Sequence, residues 1–425
     1  MKKYILTAGT GALLATAVFL WWRSLYPGLP VSSRLNDLAR LMGIAGFALL
    51  PVQMALGSRI KLLDSNLGLD RLLIFHRSSG IVIAGIILLH PLMIIISEQA
   101  SGFAAPFGLT KATGLIAISA LFAAVGSPLI IRRLFSRYET WASIHRVAFF
   151  VLPLAFIHSF FFGDNPSRKP LLFLWLLISL IYAAIIFHRS ITRYLSYRSP
   201  YRVSKITAET PLINTLAMKG KPLEHHPGQF AFLKVASKGA FQWHPFTISS
   251  SPSRPEVTFT IKSVGDFTSE ISRLKRGQSA FLLGPFGNFV LPQDMDIPIV
   301  FLAGGIGITP FLSMLAWLAD RGRNRHITLL WANKTKEDIF AQEQFDGFQL
   351  RISGLKVVHV LSRDLDWNGE KGHINEAVIR RNVPEPEKAI FLLCGPPAFM
   401  NTLLDILKEM GIQKNRILLE RFSLI

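Results

Sequence analysis

The first half of the chain contains six long apolar segments, and these constrain the fold more than any other feature. Half of the 425 residues are hydrophobic, and the longest apolar runs lie before residue 198. A helix needs about 20 apolar residues to span the hydrocarbon core of a bilayer. The six segments are Tyr4–Trp22, Leu41–Leu56, Leu72–Ile96, Ala112–Ile131, Trp141–Phe162 and Leu171–Phe187. We therefore predict an α-helical bundle of six transmembrane helices, residues 1–198, with the lipid bilayer as its partner.

The ends of these segments indicate how the helices are oriented. Trp21-Trp22-Arg23 follows the first segment, where a signal peptide would carry small residues, so we predict a retained helix. With the amino terminus inside, twelve Lys and Arg residues fall on the cytoplasmic side and six on the other, in agreement with the positive-inside rule. We predict a multi-pass protein of the bacterial inner membrane whose carboxyl-terminal half lies in the cytoplasm.

Four histidines lie inside the apolar segments as two pairs. His76 and His90 are 14 residues apart, and His145 and His158 are 13 apart. Each pair spans about 20 Å along a helix, so two adjacent helices can offer one imidazole each at two depths. We predict two stacked b-type haems, each with two histidine ligands; for any single histidine, hydrogen bonding between helices is the alternative. A spacing of 13 leaves an offset of about 140° on a regular helix, which a kink at Pro153 can correct.

The sequence changes character after Arg198. Up to about Pro292 it contains short β-rich runs separated by turns, which predict an antiparallel β-barrel over residues 199–294. From Ile297 onward, β-rich runs alternate with helical stretches, which predict an α/β domain with a parallel sheet over residues 295–425. The predicted barrel strands are Tyr201–Thr207, Phe230–Val235, Val257–Ser263 and Ser279–Leu283. The predicted α/β elements are Ile297–Ala303, Pro310–Ala319, Ile327–Ala332, Leu355–Leu361, Ala389–Leu393 and Pro397–Lys408.

Two motifs in the barrel region suit a flavin. An aromatic side chain beside hydroxyl groups fits a flat, polar ring system, and a glycine with hydroxyl groups before the predicted helix Ser269–Leu274 fits a phosphate. Upstream, Pro227-Gly228-Gln229-Phe230 enters a strand of the same barrel. Each motif alone is compatible with an ordinary turn, but together they predict FAD. The predicted FAD-binding residues are His244, Pro245, Phe246, Thr247, Ser249, Lys262, Gly265 and Thr268.

Two loops in the α/β region follow apolar strands and carry glycine, which is the context of a dinucleotide-binding loop. Between them, Ser362 and Arg363 end a predicted strand, and a hydroxyl beside a guanidinium suits the 2′-phosphate of NADPH. Arg363 is also compatible with a solvated surface charge. The first loop contributes Gly304, Gly305, Gly307 and Thr309, and the second contributes Cys394, Gly395 and Pro396.

Charge and cysteine content exclude other classes of protein. A formal net charge of +19 would suit nucleic acid, but basic residues that flank apolar segments suit anionic lipid and anionic cofactors, so we predict no nucleic-acid partner. Cys394 is the only cysteine in the sequence, which rules out an intrachain disulfide.

Taken together, these motifs resemble the NADPH oxidase and ferric reductase superfamily, with a carboxyl-terminal half similar to ferredoxin-NADP reductases. The resemblance covers nearly the whole chain and includes the histidine spacings, HPFT, VGDFT, GPFGNF, the glycine loop and CGPP. It implies that Cys394 lies beside the nicotinamide and Phe422 over the flavin, and we group Thr309 with them as catalytic candidates. Ile94 stands where the family often has a further histidine, and three residues follow Phe422. No calcium-binding or adaptor segment is expected before the first helix.

The whole sequence predicts electron transfer across the membrane. NADPH would reduce FAD on the cytoplasmic side, and electrons would then pass singly to an inner haem, between His76 and His145, and to an outer haem, between His90 and His158.

Three arginines are candidates for contact with haem propionates. Arg77 and Arg146 directly follow the two inner histidines, and Arg40 lies near the outer end of the second segment. For Arg77 and Arg146, a role at the cytoplasmic interface is the equal alternative.

The predicted acceptor is oxygen, with superoxide as the product. An iron with two histidine ligands has no open position, so oxygen would be reduced at the haem edge. The carboxylates Asp37, Glu98 and Asp164 on the far side are isolated in sequence, so no dedicated iron site is indicated. A ferric or other metal reductase, a haem subunit that feeds a periplasmic partner, and a non-redox transporter stay open as alternatives. No obligate protein partner is indicated.

Overall fold

The chain divides into two units, Met1–Ile191 and Thr192–Ile425. This computed structural model describes residues 2–23, 31–102, 106–134, 138–161, 169–236, 242–294, 296–364 and 366–421. Side chains are described for all of these except residues 2–7, 31–33, 127–141 and 169–170.

Apolar helices form the first unit, because long uncharged runs can satisfy their backbone groups within each helix. In the described part of the chain, five helices are long and apolar enough to cross a membrane, and they correspond to the second to sixth predicted spans. The first predicted span is helical as well, but its first side chains are outside the described residues, so the count of six stays a prediction. The helices are α1 (Lys2–Arg23), α2 (Val31–Gly57), α3 (Lys61–Leu67), α4 (Leu69–Ser101), α5 (Leu109–Leu134), α6 (Tyr138–His145), α7 (Ala148–Phe161) and α8 (Lys169–Arg198).

The second predicted span is longer than its apolar centre suggests. α2 runs for 27 residues and continues through Pro51. The amide of Gln53 hydrogen-bonds with the hydroxyl of Ser79 on α4 at 2.5 Å, which explains how a polar residue is tolerated there. Gly46 lets the two helices approach closely, because a Cβ at this position would lie 2.2 Å from Ile87. α2 therefore packs directly along the face of α4.

The fifth predicted span is interrupted. α6 ends at His145 and α7 begins at Ala148, with a turn at Arg146 and Val147. Backbone bonds here join residues three apart: Val147 N to Ile144 O (2.9 Å), Phe149 N to Arg146 O (3.1 Å) and Phe150 N to Val147 O (2.9 Å). Such turns wind about 120° per residue instead of about 100°, which reduces the offset between His145 and His158. The change of phase lies at this turn, before Pro153.

An antiparallel six-stranded sheet opens the second unit, with the strand order β4-β3-β6-β1-β2-β5. The antiparallel prediction is confirmed. The structure shows a sheet whose edges are joined by one bridge between Ile248 and Phe259 in the described residues, rather than a continuously bonded barrel. The elements are β1 (Tyr201–Thr210), β2 (Ile213–Lys219), β3 (Phe230–Val235), β4 (His244–Thr247), β5 (Val257–Lys262), α9 (Asp266–Glu270) and β6 (Ser279–Phe286).

A parallel six-stranded sheet with flanking helices follows, with the strand order β10-β9-β8-β7-β11-β12. This confirms the α/β prediction. One helical layer packs on Phe301, Leu329 and Trp331 and the other on Val300, Leu302 and Leu330, as alternation along a strand requires. The elements are β7 (Ile299–Gly304), α10 (Thr309–Asp320), β8 (Ile327–Asn333), α11 (Gln342–Arg351), β9 (Leu355–Leu361), β10 (Glu370–Lys371), α12 (Glu376–Asn382), β11 (Ile390–Cys394), α13 (Pro397–Glu409) and β12 (Ile417–Glu420).

The two sheets are joined through the segment after β4. Arg254 donates two hydrogen bonds to Asp320 at the end of α10, at 3.1 and 3.0 Å. These bonds hold the pKa of the Asp320 carboxyl below its usual value. The buried hydroxyl of Ser313 on α10 donates to the carbonyl of Ser250 at 2.7 Å. The segment that follows the HPFT motif is therefore fixed against α10.

Candidate functional site

The four membrane histidines form two close pairs. The rings of His76 and His145 have centroids 5.9 Å apart and planes at 85°. The rings of His90 and His158 have centroids 6.2 Å apart and planes at 66°. All four side chains are half-buried. The structure thus brings together the same partners that the sequence pairing predicts, at two levels of α4.

Each pair is oriented by hydrogen bonds at Nδ1. A carbonyl oxygen accepts and cannot donate, so the imidazole nitrogen that meets one carries the proton. For His90 and His145, whose Nδ1 atoms meet carbonyl oxygens, Nε2 is then the unprotonated nitrogen. The Nδ1 contacts are His76 with Gln53 O (3.1 Å), His90 with Ala39 O (2.8 Å), His145 with Ala124 O (2.8 Å) and His158 with Thr113 Oγ1 (3.3 Å).

The pair spacing fits an axially ligated haem. A metal–imidazole bond of about 2 Å on each side of one iron would place the two ring centres about 6 Å apart. The two centroid distances, 5.9 and 6.2 Å, agree with this value. In the described residues, no group of three or more His, Cys, Asp and Glu side chains is arranged to hold a metal ion.

The arginines predicted near the haems have different surroundings. Arg77 is exposed on α4. Arg146 is exposed in the turn between α6 and α7 and donates to the hydroxyl of Ser143 at 2.7 Å. Arg40 lies 3.9 Å from Asp37. Their contact with propionates stays a prediction.

The HPFT segment forms the edge strand β4. Phe230 on β3 is paired with Thr247, and Pro245 lies in the middle of β4 opposite Phe232. The ring of Phe267 lies 4.1 Å from that of His244 and 5.7 Å from that of Phe246. The hydroxyl oxygen of Thr247 is buried and has no hydrogen-bond partner among the described residues, which is the condition expected of a group that serves a bound ligand.

Other residues predicted to bind FAD are engaged within the protein. Ser249 Oγ lies 2.9 Å from Thr258 Oγ1 and accepts from Thr260 Oγ1 at 3.1 Å. The hydroxyl of Thr268 accepts from the amide of Gly265 at 2.9 Å, and α9 begins at Asp266, three residues before the predicted helix. Lys262 ends β5, next to this loop.

Thr247→Val is expected to weaken FAD binding about fivefold to tenfold, because one hydrogen bond of roughly 1 kcal/mol is lost. Protein stability should not fall, since the hydroxyl has no partner in the part of the protein that the structure describes. Thr260→Val is the matched control: its buried hydroxyl bonds to Ser249 and Thr215, so stability should fall while FAD binding is kept. Flavin fluorescence titration and thermal unfolding measure the two effects. Equal FAD affinity in Thr247→Val and wild-type protein would remove Thr247 from the site.

The two glycine loops of the parallel sheet meet backbone to backbone. A Cβ at Gly307 would lie 2.2 Å from the carbonyl oxygen of Cys394, and one at Gly395 would lie 3.2 Å from the Cα of Gly304. Gly305 has φ of +51°, and its carbonyl accepts from Trp331 Nε1 at 3.0 Å. At Gly307 and Gly395 glycine is required, because the backbone of the other loop passes too close for a side chain. The loops form one surface at the carboxyl ends of β7 and β11, where open α/β sheets bind ligands.

The remaining members of this surface lie beside the loops. Thr309 is buried at the start of α10, and its hydroxyl donates to the carbonyl of Ile306 at 3.2 Å. Pro396 precedes α13 and would contact a Cβ at Gly304 at 3.1 Å. Ser362 and Arg363 follow β9, and their amides donate to Asn333 O (3.1 Å) and Lys334 O (2.8 Å).

Arg363→Ala is expected to raise the KM for NADPH by about tenfold, because a charge-assisted bond to a 2′-phosphate contributes roughly 1.5–3 kcal/mol. The KM for NADH, which lacks that phosphate, should change little. Steady-state dye reduction with both nucleotides measures the difference. Arg380→Ala, an exposed arginine paired with Glu376 on α12, is the control. Equal changes for both nucleotides would show that Arg363 is a surface charge.

Cys394 lies at the end of β11 and is fully buried. Burial raises the pKa of the thiol well above its usual value, and the neighbouring carboxylate of Glu420 adds to the shift. Glu420 is the register partner of Cys394 on β12. The thiol is therefore neutral over the physiological range. Phe422 lies outside the described residues.

Family models match all three regions of the chain. Residues 42–156 match the ferric reductase like transmembrane component, residues 201–283 match an FAD-binding domain, and residues 301–405 match the oxidoreductase NAD-binding domain. The chain has the domain architecture of the NADPH oxidase and ferric reductase superfamily. Its dehydrogenase half resembles ferredoxin-NADP reductases, and the superfamily's membrane domain includes His76, His90 and His145 in the matched range.

Curated relatives match about half of the chain. Human cytochrome b5 reductase 4 is 30% identical over 245 residues, which are 52% of this chain and 47% of the relative. The reductase subunit of stachydrine N-demethylase from Rhizobium meliloti is 27% identical over 227 residues, 51% of this chain and 64% of the relative. The chain thus spans about half to two thirds of the length of these relatives. Among solved structures, the Amycolatopsis cytochrome P450 reductase covers 53% of this chain and 69% of its own at 22% identity, with a TM-score of 0.49.

Two residues near the glycine loops were not recognised from the sequence as candidate site residues. Asn333 ends β8 beside Ser362, is 8% exposed and has an amide nitrogen without a partner in the described structure. Glu420 faces Cys394 across β11 and β12. In the sequence, each of the two is a polar residue at the carboxyl end of an apolar strand. Such residues are common, so this pattern identifies Asn333 and Glu420 only when the strand order is known.

Proposed function

We propose that this protein carries electrons from cytoplasmic NADPH across the membrane to oxygen, with superoxide as the product. FAD would accept a hydride from NADPH and pass electrons singly to two b-type haems, when these groups are bound. The chain would hold these groups at fixed positions. The dehydrogenase half would lie in the cytoplasm of a bacterial cell.

The observation that carries this proposal is the geometry of the two histidine pairs. Two pairs of imidazoles at two depths, with ring centres about 6 Å apart in each pair, suit two metals in series. A transporter or a helix-packing role would not require matched pairs. His76 and His145 would hold the inner haem, and His90 and His158 the outer one.

The second unit supplies the residues for hydride transfer. Gly304, Gly307 and Gly395 let the two loops pack closely, and the surface that these loops form would bind a dinucleotide. The buried Thr247 hydroxyl would donate to or accept from the flavin ring. The neutral Cys394 thiol would pack beside the nicotinamide without adding charge. Ser362 and Arg363 would bind the 2′-phosphate.

The ion pairs formed by two carboxylates on the predicted far side favour oxygen over ferric iron as the electron acceptor. Glu98 forms an ion pair with Lys111 at 3.0 Å, and Asp37 lies 3.9 Å from Arg40. A carboxylate that is already neutralised by a cation is a poor ligand for Fe³⁺. Asp164 lies outside the described residues.

The test is cytochrome c reduction by NADPH in air, with purified protein in detergent or liposomes. Superoxide dismutase should abolish most of the signal. Insensitivity to the dismutase, with saturable reduction of chelated ferric iron under anaerobic conditions, would assign the protein as a metal reductase. Reduction that needs an added periplasmic extract would favour a haem subunit with a partner. Protein that shows no haem absorbance would refute the electron-transfer proposal.

A further inference from the structure

Asn333 is a buried polar residue whose side-chain amide is not engaged by the described part of the protein. The residue ends β8 and is 8% exposed, and the buried nitrogen of its carboxamide has no acceptor among the described residues. A buried donor without an acceptor destabilises a fold, and such groups are rare in proteins. A donor beside a binding surface avoids this loss when it donates to a bound molecule.

Asn382 shows how a similarly buried asparagine is satisfied within the protein. It ends α12 and is 9% exposed. Its amide nitrogen donates to Oε1 of Glu370 at 2.8 Å and to the carbonyl of Val378 at 3.0 Å. The two asparagines are buried to the same extent, and they differ in the acceptors that the described structure offers to the amide. Burial alone therefore does not account for the state of Asn333.

The position of Asn333 lies between two parts of the predicted nucleotide surface. β8 lies between β7 and β9 in the parallel sheet. Gly304, at the end of β7, is the register partner of Ala332, so Asn333 extends β8 one residue beyond the start of the glycine loop. On the other side Asn333 pairs with Leu361, and its backbone carbonyl accepts from the amide of Ser362 at 3.1 Å. Adjacent strands are about 4.8 Å apart, so both parts lie one strand away.

A dinucleotide that spans these two parts must cross the end of β8. Its 2′-phosphate would lie at Ser362 and Arg363, and its nicotinamide beside the glycine loops and Cys394. The groups between these ends are two riboses and a diphosphate, and their oxygens accept hydrogen bonds. NADPH and NADH share these groups and differ at the 2′ position. A donor at the end of β8 would therefore serve both nucleotides.

We propose that the carboxamide of Asn333 donates a hydrogen bond to an oxygen in the ribose–diphosphate part of the bound nucleotide. The inference rests on the proposed function, since it assigns Asn333 to the site at which the nucleotide would bind. It separates two roles at adjacent strand ends. Arg363 selects the 2′-phosphate, and Asn333 holds a part that NADPH and NADH have in common.

The test compares Asn333→Ala with the matched control Asn382→Ala in full-length protein. Isothermal titration calorimetry with NADP⁺ and NAD⁺ measures binding without turnover, and thermal unfolding measures stability. Asn333→Ala should weaken the binding of both nucleotides about fivefold to tenfold, because one hydrogen bond is lost. Its Tm should change little. Asn382→Ala should lower Tm, because two hydrogen bonds within the protein are lost, and should keep the affinity for both nucleotides.

Asn333→Asp distinguishes the two kinds of oxygen. A carboxylate cannot donate, and it repels a diphosphate, but it accepts a hydrogen bond from a ribose hydroxyl. A greater loss of affinity than in Asn333→Ala would place Asn333 at the diphosphate. Affinity restored above that of Asn333→Ala would place it at a ribose.

Three results would overturn the assignment. They are unchanged affinity for both nucleotides in Asn333→Ala, a loss confined to NADP⁺, and a fall in Tm as large as that of Asn382→Ala. Asn333→Leu keeps the branched shape of the side chain and lacks the amide, so it decides the matter if the alanine variant does not fold. Wild-type protein that binds neither nucleotide would instead refute the proposed function.

Discussion

His76→Ala protein should contain about half the haem of the wild-type protein and should not transfer electrons from NADPH to an acceptor across the membrane. The imidazole of His76 faces His145 at 5.9 Å and is hydrogen-bonded to Gln53, so its removal would leave the proposed inner haem with one histidine ligand. The flavin should still be reduced by NADPH, because the nucleotide surface lies in the other unit. Haem content by the pyridine haemochrome method and haem reduction by stopped-flow absorbance measure the two effects.

Two other histidines of the first unit, His158 and His188, provide the controls for this experiment. His158→Ala should remove the other haem and leave the inner one reducible by NADPH, so the two variants should differ in which haem is lost. His188→Ala, on α8 and outside both pairs, should keep full haem content. If His76→Ala and His158→Ala each retain two haems, or if wild-type protein binds one, the pairing is wrong.

Cys394→Ala should slow the reduction of FAD by NADPH by about 100-fold while NADPH affinity changes by much less, since a shift of about 1 Å at a reacting centre has an effect of this size. The thiol is fully buried, and its backbone lies against Gly307, so in the proposed complex the side chain would pack beside the nicotinamide. Its raised pKa keeps it protonated. The rate in wild-type protein should therefore show no rise as pH passes through the usual cysteine range, because no thiolate forms there.

Stopped-flow flavin reduction at several pH values tests both parts. Cys394→Ser, which keeps a small polar group, should lose less of the rate than Cys394→Ala. Unchanged flavin reduction in Cys394→Ala would limit the residue to packing. A rate that increases with pH in wild-type protein and not in Cys394→Ser would mean that the thiolate takes part.

The repetitive elements of the fold were predictable from the sequence. Phe230–Val235 and Leu355–Leu361 have the predicted bounds, because β-branched and aromatic residues alternate between clear turn signals. The strand β4 was missed, since it is four residues long and contains Pro245. The break at Arg146 and Val147 carries neither glycine nor proline, so hydropathy alone extended one helix across it.

The candidate site was predictable where side chains carry the chemistry. Histidine spacing indicated which rings would meet, and the glycine loops indicated where the two strand ends would converge. The supports of the histidines were not predictable, because Gln53, Ala39 and Ala124 act through backbone carbonyls, which have no signature in residue identity. Ser249 and Thr268 were predicted from their hydroxyls alone, yet both hydroxyls have protein partners that depend on strand register.

The helix α8 has a practical consequence for anyone who expresses the dehydrogenase separately. It runs to Arg198, and its residues from Thr192 onward belong to the second unit. Tyr197 accepts a hydrogen bond from Lys234 at 3.0 Å, and its ring packs against Phe281 at 5.1 Å and Trp243 at 6.0 Å. A gene fragment that starts at residue 199 would discard this anchor and expose the aromatic side chains beneath it. A gene fragment for the second unit alone should therefore begin at Thr192, which lies inside helix α8.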